Sequence, residues 1–391
     1  MDEILKELSD RELGILNIIQ KKGSITKKDL QIAADVKLTT LNRAMKILAD
    51  NNLIVEVGTC ESTGGRKAVE YSAAEKGIYV IGIDISRTYV KLILSNLRMD
   101  ILKNEQFSLD HTFSPEKTVN EICILIKKFL LELSIDKTEV LGIGIGTVGP
   151  MDRGNGIILN PKGFFHSGWA NVPLKEMIES ELSIPCFIDN GANTAILAEY
   201  SIGKGRGLKN VVYIHCGVGI RSAVITDGSI IRAINDSEDA FAHMVVDIDG
   251  DDCGCGNQGC IESYVSLKAI AKRSKLKREQ FISSNEKENN YNESLNSEQL
   301  DNEITKEIIN KSAEVLGVGI GNLARILNPQ LIILSGPLIM NYDLFYPRAV
   351  EVFHKNNCMN NQVEFSKGGE LKESVIAIGS CLMVINHYLK N

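Results

Sequence analysis

The sequence predicts an α/β protein in which a small helical domain precedes a larger, two-lobed body. Residues 1–76 have the apolar spacing of short helices followed by a hairpin, whereas from Tyr79 onward apolar strands alternate with amphipathic helices. A chain of 391 residues is also longer than one ordinary hydrophobic core organises. We therefore expect two or three domains.

The composition is that of a globular protein, with 44% hydrophobic and 24% charged residues. No segment approaches the run of about 20 apolar residues that a membrane span requires, and the acidic start lacks a signal peptide. We therefore expect a cytoplasmic protein without a membrane partner. In that compartment, an odd count of nine cysteines favours free thiols or metal ligands over a disulfide framework.

The beginning of the chain carries the signals of two helices joined by a tight turn. An amphipathic first helix is predicted over residues 11–20, where apolar side chains recur at Leu13, Leu16 and Ile19. Thr26 and Asp29 have the spacing of a capping box that opens a second helix ending at Ala34. Asp35 then stands where the turn needs a residue that tolerates positive φ.

A third helix and a hairpin follow. The helix is predicted from an apolar stripe formed by Leu41, Ala44, Met45 and Leu48. This stripe turns a polar set outward, consisting of Thr39, Asn42, Arg43 and Lys46. Two alternating stretches then flank Gly64 and Gly65 and predict a hairpin with Arg66 and Lys67 beside its tip. This order of elements is typical of a winged helix-turn-helix domain that binds DNA.

The local charge supports DNA binding by this domain. The segment from Lys21 to Lys46 contains seven basic residues and only two aspartates, although the whole chain has a net charge of −7. Asn42 and Arg43 are the candidates for contacts to base edges in the major groove. Phosphate contacts are expected from Lys27, Lys28 and Lys46, and minor-groove contacts from Arg66 and Lys67. The alternative is a three-helix protein-interaction module with a solvated charged face.

Four potential metal ligands are concentrated in one short segment of the body: His243, Cys253, Cys255 and Cys260. One imidazole and three thiolates complete the tetrahedral coordination of a structural zinc ion and leave no position open for water. Glycines at 254, 256 and 259 allow the backbone to wrap tightly around the ion. The alternative is a group of buried free cysteines beside an unrelated histidine. The close Cys-x-Cys-x4-Cys spacing favours one structural Zn²⁺ per chain.

The body alternates predicted strands with predicted helices. Strands are expected at YVIGIDIS, VKLILSNL, VLGIGIGTVG, CFIDNG, VVYIHCGVG, SAVITDG and LIILSG. Helices are expected over residues 116–133, 193–200 and 305–327. This alternation is the pattern of an α/β fold.

The segment GCIESY, preceded by Cys-Gly-Cys-Gly at residues 253–256, and the downstream NPQLIILSG resemble the ROK family of bacterial repressors, open reading frames and sugar kinases. With the winged helix-turn-helix, the resemblance covers essentially the whole chain. It implies an actin-like, hexokinase-like body of two α/β lobes around a sugar cleft. It also implies three parts, which are a DNA-binding domain at 1–76, a first lobe at 77–192 completed by a C-terminal helix near 372–391, and a zinc-containing second lobe at 193–371.

The three phosphate-binding loops of the family's kinases are altered in this chain. The first is Asp-Ile-Gly-Gly-Thr in the kinases, but residues 84–88 are Asp-Ile-Ser-Arg-Thr and lack the glycines that allow close backbone approach. The second is Gly-Thr-Gly-Ile-Gly, but residues 217–221 are Gly-Val-Gly-Ile-Arg. The third is commonly Gly-Gly-Gly, but residues 335–337 are Ser-Gly-Pro.

The position of the catalytic base is altered as well. The family's kinases carry Asn-Asp-Ala-Asn, in which the aspartate takes the proton of the attacking sugar hydroxyl, but residues 190–193 are Asn-Gly-Ala-Asn. Gly191 cannot accept a proton, and general-base catalysis typically contributes about 10²–10⁴-fold. Asp189 is an alternative base, although its side chain is expected to point elsewhere in a strand that leads into a turn. We therefore expect no catalytic residue.

The resemblance also implies which sugar-binding residues remain. The family holds sugar hydroxyls through that same aspartate and through a glutamate three positions before the zinc histidine. These positions are Gly191 and Ala240 here. The family also uses the zinc histidine and a glutamate just after the third zinc cysteine, so the remaining candidates for ligand binding are Asn190, His243 and Glu262. The alternative is that His243 and Glu262 are kept for structure and not for a ligand.

Three functions are compatible with these features. The leading hypothesis is a repressor, a homodimer or a dimer of dimers, that binds a palindromic DNA operator with half-sites about 34–36 Å apart. A sugar or sugar-phosphate effector, a partner protein or both would change the spacing of the two DNA-binding domains by shifting conformational populations. The enzyme alternative is a ROK sugar kinase with an appended DNA-binding domain, which the altered loops and base disfavour. The third is a scaffold that binds DNA constitutively.

Overall fold

The computed structural model describes residues 2–59, 68–232, 240–281, 303–356 and 362–389. The chain forms two compact units, the first made of Met1–Ile202 with Glu373–Asn391 and the second of Gly203–Lys372. The finer division at residues 76 and 192 stays a prediction. None of the described helices combines the length and the apolar character that crossing a membrane requires.

The chain begins with four helices and a three-stranded sheet. The helices are α1 (Asp2–Glu7), α2 (Asp10–Lys22), α3 (Lys27–Ala34) and α4 (Leu38–Asp50), and the strands are β1 (Ile25–Thr26), β2 (Ile54–Thr59) and β3 (Val69–Ala73). The sheet has the order β1-β3-β2, and all its pairs are antiparallel. Helices α2 to α4 bury a common core that includes Leu16, Ile19, Leu30, Leu41 and Leu48.

Local sequence signals position these helices as expected. The Thr26 hydroxyl caps α3 by accepting a hydrogen bond from the Asp29 amide at 3.2 Å. Asp35 adopts the left-handed conformation, with φ 47° and ψ 51°, and ends that helix. The start of α3 and the conformation of Asp35 are as predicted, whereas the Asp29 carboxylate accepts from the Thr26 hydroxyl at 2.6 Å instead of from the Thr26 amide as in a capping box. The first predicted helix is longer than expected, and its buried face uses Ile15, whereas Leu13 is only half-buried. Helix α1 and strand β1 were not predicted.

The rest of the first unit is built on a five-stranded sheet. Its five strands are β4 (Tyr79–Ile85), β5 (Tyr89–Asn96), β6 (Ile101–Ser108), β7 (Val140–Thr147) and β10 (Cys186–Asn190). Between β7 and β10 in the chain, β8 (Met151–Asp152) and β9 (Ile157–Ile158) form a separate two-stranded sheet. The order is β10-β7-β4-β5-β6, in which β4, β7 and β10 are parallel. Three helices accompany it: α5 (Pro115–Leu133), α6 (Leu174–Leu182) and α7 (Gly191–Ile202).

The second unit has a five-stranded sheet of its own. Its strands are β11 (Val211–Cys216), β12 (Ile220–Thr226), β13 (Ser229–Ile230), β14 (Leu331–Ser335) and β15 (Glu364–Lys367), in the order β13-β12-β11-β14-β15. Strands β11, β14 and β15 are parallel, whereas β12 is antiparallel to β11. The helices are α8 (Glu262–Val265), α9 (Leu267–Phe281), α10 (Glu303–Leu327), α11 (Pro337–Asn341) and α12 (Phe345–Asn356). One sheet face packs against them around Ile214, Ile332, Leu316 and Phe345.

The last helix, α13 (Val375–Leu389), returns to the first unit and packs on β4, β7 and α7. Glycines allow this close approach. A Cβ added at Gly82 would lie 2.0 Å from the carbonyl oxygen of Ala377, and one at Gly144 would lie 2.0 Å from that of Ser380. The helix backbone therefore sits directly on the sheet, as no side chain at these strand positions would permit.

The strands and helices predicted for the body are all present, with ends that differ by a few residues. Strand β6 was missed because its side chains are mostly exposed and polar, as is usual at a sheet edge. Strand β15, only four residues long, was also missed. Two short 3₁₀ helices, Lys137–Glu139 and Lys372–Ser374, complete the described elements.

Candidate functional site

Helix α4 presents a polar face opposite its buried stripe. Thr39, Asn42, Arg43 and Lys46 are all exposed. Among the described residues, neither Arg43 nor Lys46 has a side-chain hydrogen bond or an ion pair, so both can offer their donors to a ligand. Lys28 is exposed at the start of α3 and Lys27 is half-buried there. This arrangement suits insertion of α4 into a major groove with flanking phosphate contacts.

Two further features bear on the DNA-binding face. Leu38 is 50% exposed in the first turn of α4, four residues before Asn42 on the same helix face. An apolar side chain there can contact a thymine methyl group. Leu38 was not predicted as a DNA-contacting residue, although its spacing of four residues from Asn42 indicates that both lie on the same face of the helix. Arg66 and Lys67, predicted at the hairpin tip, lie outside the described residues.

The DNA-binding domain is tied to the sheet of the first unit. Arg98, in the turn between β5 and β6, donates to the carbonyl oxygen of Ala73 at 2.6 Å and to the Glu75 carboxylate at 2.7 Å. Both acceptors lie at the exit of the hairpin. In addition, α2 contacts α13. Because of these contacts, α4 is held by the first unit rather than by a free linker.

The predicted metal ligands come together in the second unit. The ligand atoms of His243, Cys253, Cys255 and Cys260 all lie within 4.8 Å of one another. The Sγ atoms of Cys255 and Cys260 are 3.7 Å apart, and Sγ of Cys253 is 3.5 Å from Nδ1 of His243. A tetrahedral zinc ion with bonds of 2.3 Å to sulfur and 2.0–2.1 Å to nitrogen requires separations of about 3.8 Å and about 3.6 Å. The donor set therefore fits a zinc ion.

Backbone hydrogen bonds shape the segment around these ligands. The amide of Cys253 donates to the carbonyl of Asn257 at 2.8 Å, which closes a tight turn between the cysteines. Gly256 and Gly259 have φ values of +99° and +67°. A Cβ added at Gly259 would lie 1.6 Å from the carbonyl oxygen of Asp247. These two glycines are required as expected, whereas Gly254 has no positive φ.

The thiols of the cluster differ in acidity. Burial raises the pKa of Cys253 and raises that of Cys260 to about 12. Burial also opposes ionisation of Cys255, but hydrogen bonds from the Asn257 amide and from the other two thiols outweigh it and lower its pKa. A metal ion that binds here must displace thiol protons, so its affinity falls as the pH falls.

The three candidate sugar ligands are each engaged in local structure. The ring of His243 faces the cysteine cluster. A carboxylate oxygen of Glu262 accepts the amide of Ile220 at 3.0 Å, at the start of β12. The Asn190 side-chain oxygen accepts the amide of Ala192 at 3.0 Å. His243 and Glu262 belong to the second unit and Asn190 to the first.

Asp189 is held in place by the beginning of α7. This carboxylate is 2% exposed and accepts the Asn190 amide at 2.8 Å and the Asn193 side-chain amide at 2.9 Å. Its other oxygen lies 4.0 Å from the Arg153 guanidinium. The predicted turn after β10 is wrong, because α7 begins directly at Gly191. The Asp189 carboxylate therefore stabilises the start of α7 through these two hydrogen bonds.

The altered loops have new contacts. Nε of Arg87 donates to the carbonyl of Lys162 at 2.8 Å, and neither Arg87 nor Ser86 has positive φ, so the first loop no longer needs glycine. In the second loop, Arg221 is buried on β12. In the third, Gly336 retains a φ of +95°, and a Cβ there would lie 2.5 Å from the carbonyl oxygen of Cys216.

Comparison with known proteins places this architecture. The chain is 28% identical over 380 residues to the xylose repressor of Bacillus spizizenii, covering 96% of this chain and 94% of that protein. It is 26% identical over 266 residues to the glucokinase of Halalkalibacterium halodurans, covering 66% of this chain and 80% of that enzyme. Both regulators and kinases are therefore among its relatives.

A solved structure shares the whole fold. It is a ROK family transcriptional regulator described as a homolog of the Escherichia coli MLC protein, with a TM-score of 0.76, 20% identity, and coverage of 97% of this chain and 95% of that one. Residues 8–55 match the model of a winged helix-turn-helix DNA-binding domain. Residues 80–384 match the ROK family model. The two-lobed, actin-like body with its N-terminal winged helix-turn-helix thus belongs to the ROK family.

Proposed function

We propose that this protein is a DNA-binding transcriptional repressor whose sugar-kinase-like body serves as an effector-binding and dimerisation module. The observation that carries this function is the exposed polar face of α4, with Asn42 and Arg43 beside each other and Arg43 without a partner among the described residues. The full-length similarity to a xylose repressor supports it. A repressor acts where the chromosome is, so the cytoplasm is the expected location.

The DNA contacts divide into two classes. Asn42 and Arg43 are assigned to base edges, with Thr39 and the apolar side chain of Leu38 next to them. Lys27, Lys28, Lys46 and the wing residues Arg66 and Lys67 are assigned to the backbone or a neighbouring minor groove, where they add affinity without choosing the sequence.

The repressor is a homodimer or a dimer of dimers. Two copies of α4 then occupy successive major grooves on one side of the duplex, about 34–36 Å apart. Because Arg98 ties the DNA-binding domain to the first unit, a ligand that moves the first units of a dimer also changes the separation of the two helices. The effector is a sugar or a sugar phosphate, and the similarity to a xylose repressor supports a sugar-derived ligand.

The cysteine cluster holds one structural zinc ion per chain. The donor separations of 3.5 Å and 3.7 Å support this assignment, as does the absence of an open coordination position. When bound, the ion cross-links the segment around it. Glu262, two residues after Cys260, holds the start of β12. The metal therefore stabilises the body rather than activating a substrate.

The body has no sugar-kinase activity. Gly191 replaces the proton acceptor, and Asp189 is committed to the start of α7 by two hydrogen bonds. Arg87 and Arg221 replace glycines in the first two phosphate loops, where backbone amides would have to approach the nucleotide. A kinase with an appended DNA-binding domain is the second candidate, favoured only by the similarity to glucokinases.

The test is selection of duplexes from a random DNA pool by the full-length, zinc-loaded protein. We expect enrichment of a palindrome whose half-site centres lie about 10–10.5 base pairs, or a multiple, apart. Failure to enrich any sequence over several rounds, by protein that retains its fold, would contradict the proposed function.

A further inference from the structure

Three polar side chains form a row across the sheet of the second unit. Arg221 on β12 is the register partner of His215 on β11, and His215 is the register partner of Ser335 on β14. Register partners share one face of a sheet, and neighbouring strands lie about 4.8 Å apart, so the three side chains stand side by side. The next row on the same face is apolar and buried, and consists of Ala223, Tyr213 and Ile333.

The row lies where ligands of α/β sheets bind. His215 and Ser335 are at the carboxyl ends of the parallel strands β11 and β14, and Arg221 is at the beginning of the antiparallel strand β12. Loops at this edge, outside the carboxyl ends of the strands, are the usual position of a bound small molecule.

Arg221 is buried and has no partner among the residues that the structure describes. Its side chain belongs to a residue that is 7% exposed, and within the described part of the chain it forms neither a hydrogen bond nor an ion pair. By contrast, Arg98, Arg273 and Arg348 each pair with a carboxylate. The guanidinium donors of Arg221 are therefore not used by any described residue, and an anion supplied by a ligand can accept hydrogen bonds from them.

The backbone around Arg221 is fixed before any ligand arrives. The amide of Gly217 donates to the carbonyl of Gly219 at 2.9 Å and closes the turn between β11 and β12. The carboxylate of Glu262 accepts the amide of Ile220, the residue before Arg221. A guanidinium on such a rigid strand start loses little freedom when it binds, which favours affinity.

We propose that Arg221, with His215 and Ser335, binds the phosphoryl group of a phosphorylated small-molecule effector. Guanidinium groups match the oxygens of phosphate in a bidentate manner, and the hydroxyl and imidazole groups add donors from the neighbouring strands. The glycine-to-arginine change in the second loop then replaces a surface for a nucleotide by a receptor for one oxyanion. That the ligand is a sugar derivative rests on the proposed function.

The experiment measures thermal unfolding and calorimetric binding with inorganic phosphate, glucose 6-phosphate and glucose, at ionic strength held constant with chloride. Three full-length, zinc-loaded proteins are compared: the natural chain, Arg221→Met, and Lys367→Ala, which removes an exposed positive charge from β15 of the same sheet. We expect phosphate or its sugar ester to bind and stabilise the natural chain and Lys367→Ala. Arg221→Met should bind at least about tenfold more weakly. Preference for glucose 6-phosphate over inorganic phosphate identifies an ester, and the reverse identifies the free ion.

Stability without phosphate separates this role from a structural one. Because no described residue pairs with Arg221, Arg221→Met should be about as stable as the natural chain, and a clear loss of stability would show that the arginine serves the fold. The proposed site is ruled out if neither inorganic phosphate nor glucose 6-phosphate binds the natural chain. It is also ruled out if Arg221→Met binds these probes as tightly as the natural chain does. DNA selection by the same preparations tests the proposed function separately. Phosphate binding without sequence-specific DNA binding would refute the repressor function but not the phosphate site.

Discussion

Replacing Cys260 by serine is expected to cost the second unit its metal and much of its stability. Cys260 is fully buried, its Sγ lies 3.7 Å from that of Cys255, and it donates to the carbonyl of His243. Structural zinc contributes on the order of 10–16 kcal/mol of apparent binding free energy at neutral pH. A whole domain is stable by only about 5–15 kcal/mol. Losing even half of the zinc contribution therefore removes a large share of the stability.

The matched control is Cys216→Ser, because Cys216 is equally buried in the same unit but lies outside the metal cluster. Its hydroxyl enters an apolar core and should cost only about 1–3 kcal/mol. Elemental analysis should find close to one zinc per chain in the natural protein and in Cys216→Ser. It should find far less in Cys260→Ser, whose α8 and α9 should also lose protection from hydrogen exchange. Equal zinc content and equal protection in Cys260→Ser and Cys216→Ser would show that Cys260 does not hold a metal ion.

Three further predictions concern the glycines of the cysteine segment, the contacts of Arg98 and the proposed absence of kinase activity. Gly259→Ala should disrupt the metal loop far more than Gly256→Ala in thermal unfolding, because both glycines have positive φ but only the first lacks space for a Cβ; equal effects would show that strain alone matters. Arg98→Ala should lower the free energy of unfolding by about 1.5–3 kcal/mol in denaturant titrations, whereas Lys103→Ala, which breaks an exposed ion pair, should cost under about 1 kcal/mol. A coupled ADP-release assay with hexoses and amino sugars should detect no turnover by the natural chain or by Gly191→Asp; turnover near 1–100 s⁻¹ by the natural chain would restore the kinase alternative, and a gain by Gly191→Asp alone would mean that the nucleotide site survives.

Apolar periodicity and local turn chemistry were sufficient to predict the helix-turn-helix. The stripe from Leu41 to Leu48 determines which face of α4 is buried, and Thr26 and Asp35 set the helix ends through their own side chains and dihedral preferences. The clustering of the four candidate metal ligands could be predicted for the same reason, since all four lie in one short segment. Features that depend only on residues close together in the chain could therefore be predicted from the sequence.

The features that were missed depend on distant parts of the chain. Strand β6 has little apolar pattern, because the edge position leaves most of its side chains exposed. The contact of Arg98 with Glu75 joins segments whose proximity is a property of the packed unit. Arg221 was interpreted only as the loss of a glycine, because its burial and its alignment with His215 appear once β11, β12 and β14 are paired.

Equilibrium titration of the selected duplex and of a shuffled duplex at physiological salt measures whether α4 binds a particular DNA sequence. The natural chain should prefer the selected duplex by about 10³-fold or more. Arg43→Ala should lose about 1–3 kcal/mol on the selected duplex and relax the preference at one base pair, whereas Lys28→Ala should weaken both duplexes alike. Affinities for the two duplexes that agree within tenfold would show that α4 does not select a DNA sequence. An equal loss of specificity in both variants would show that Arg43 is not the residue that reads a base.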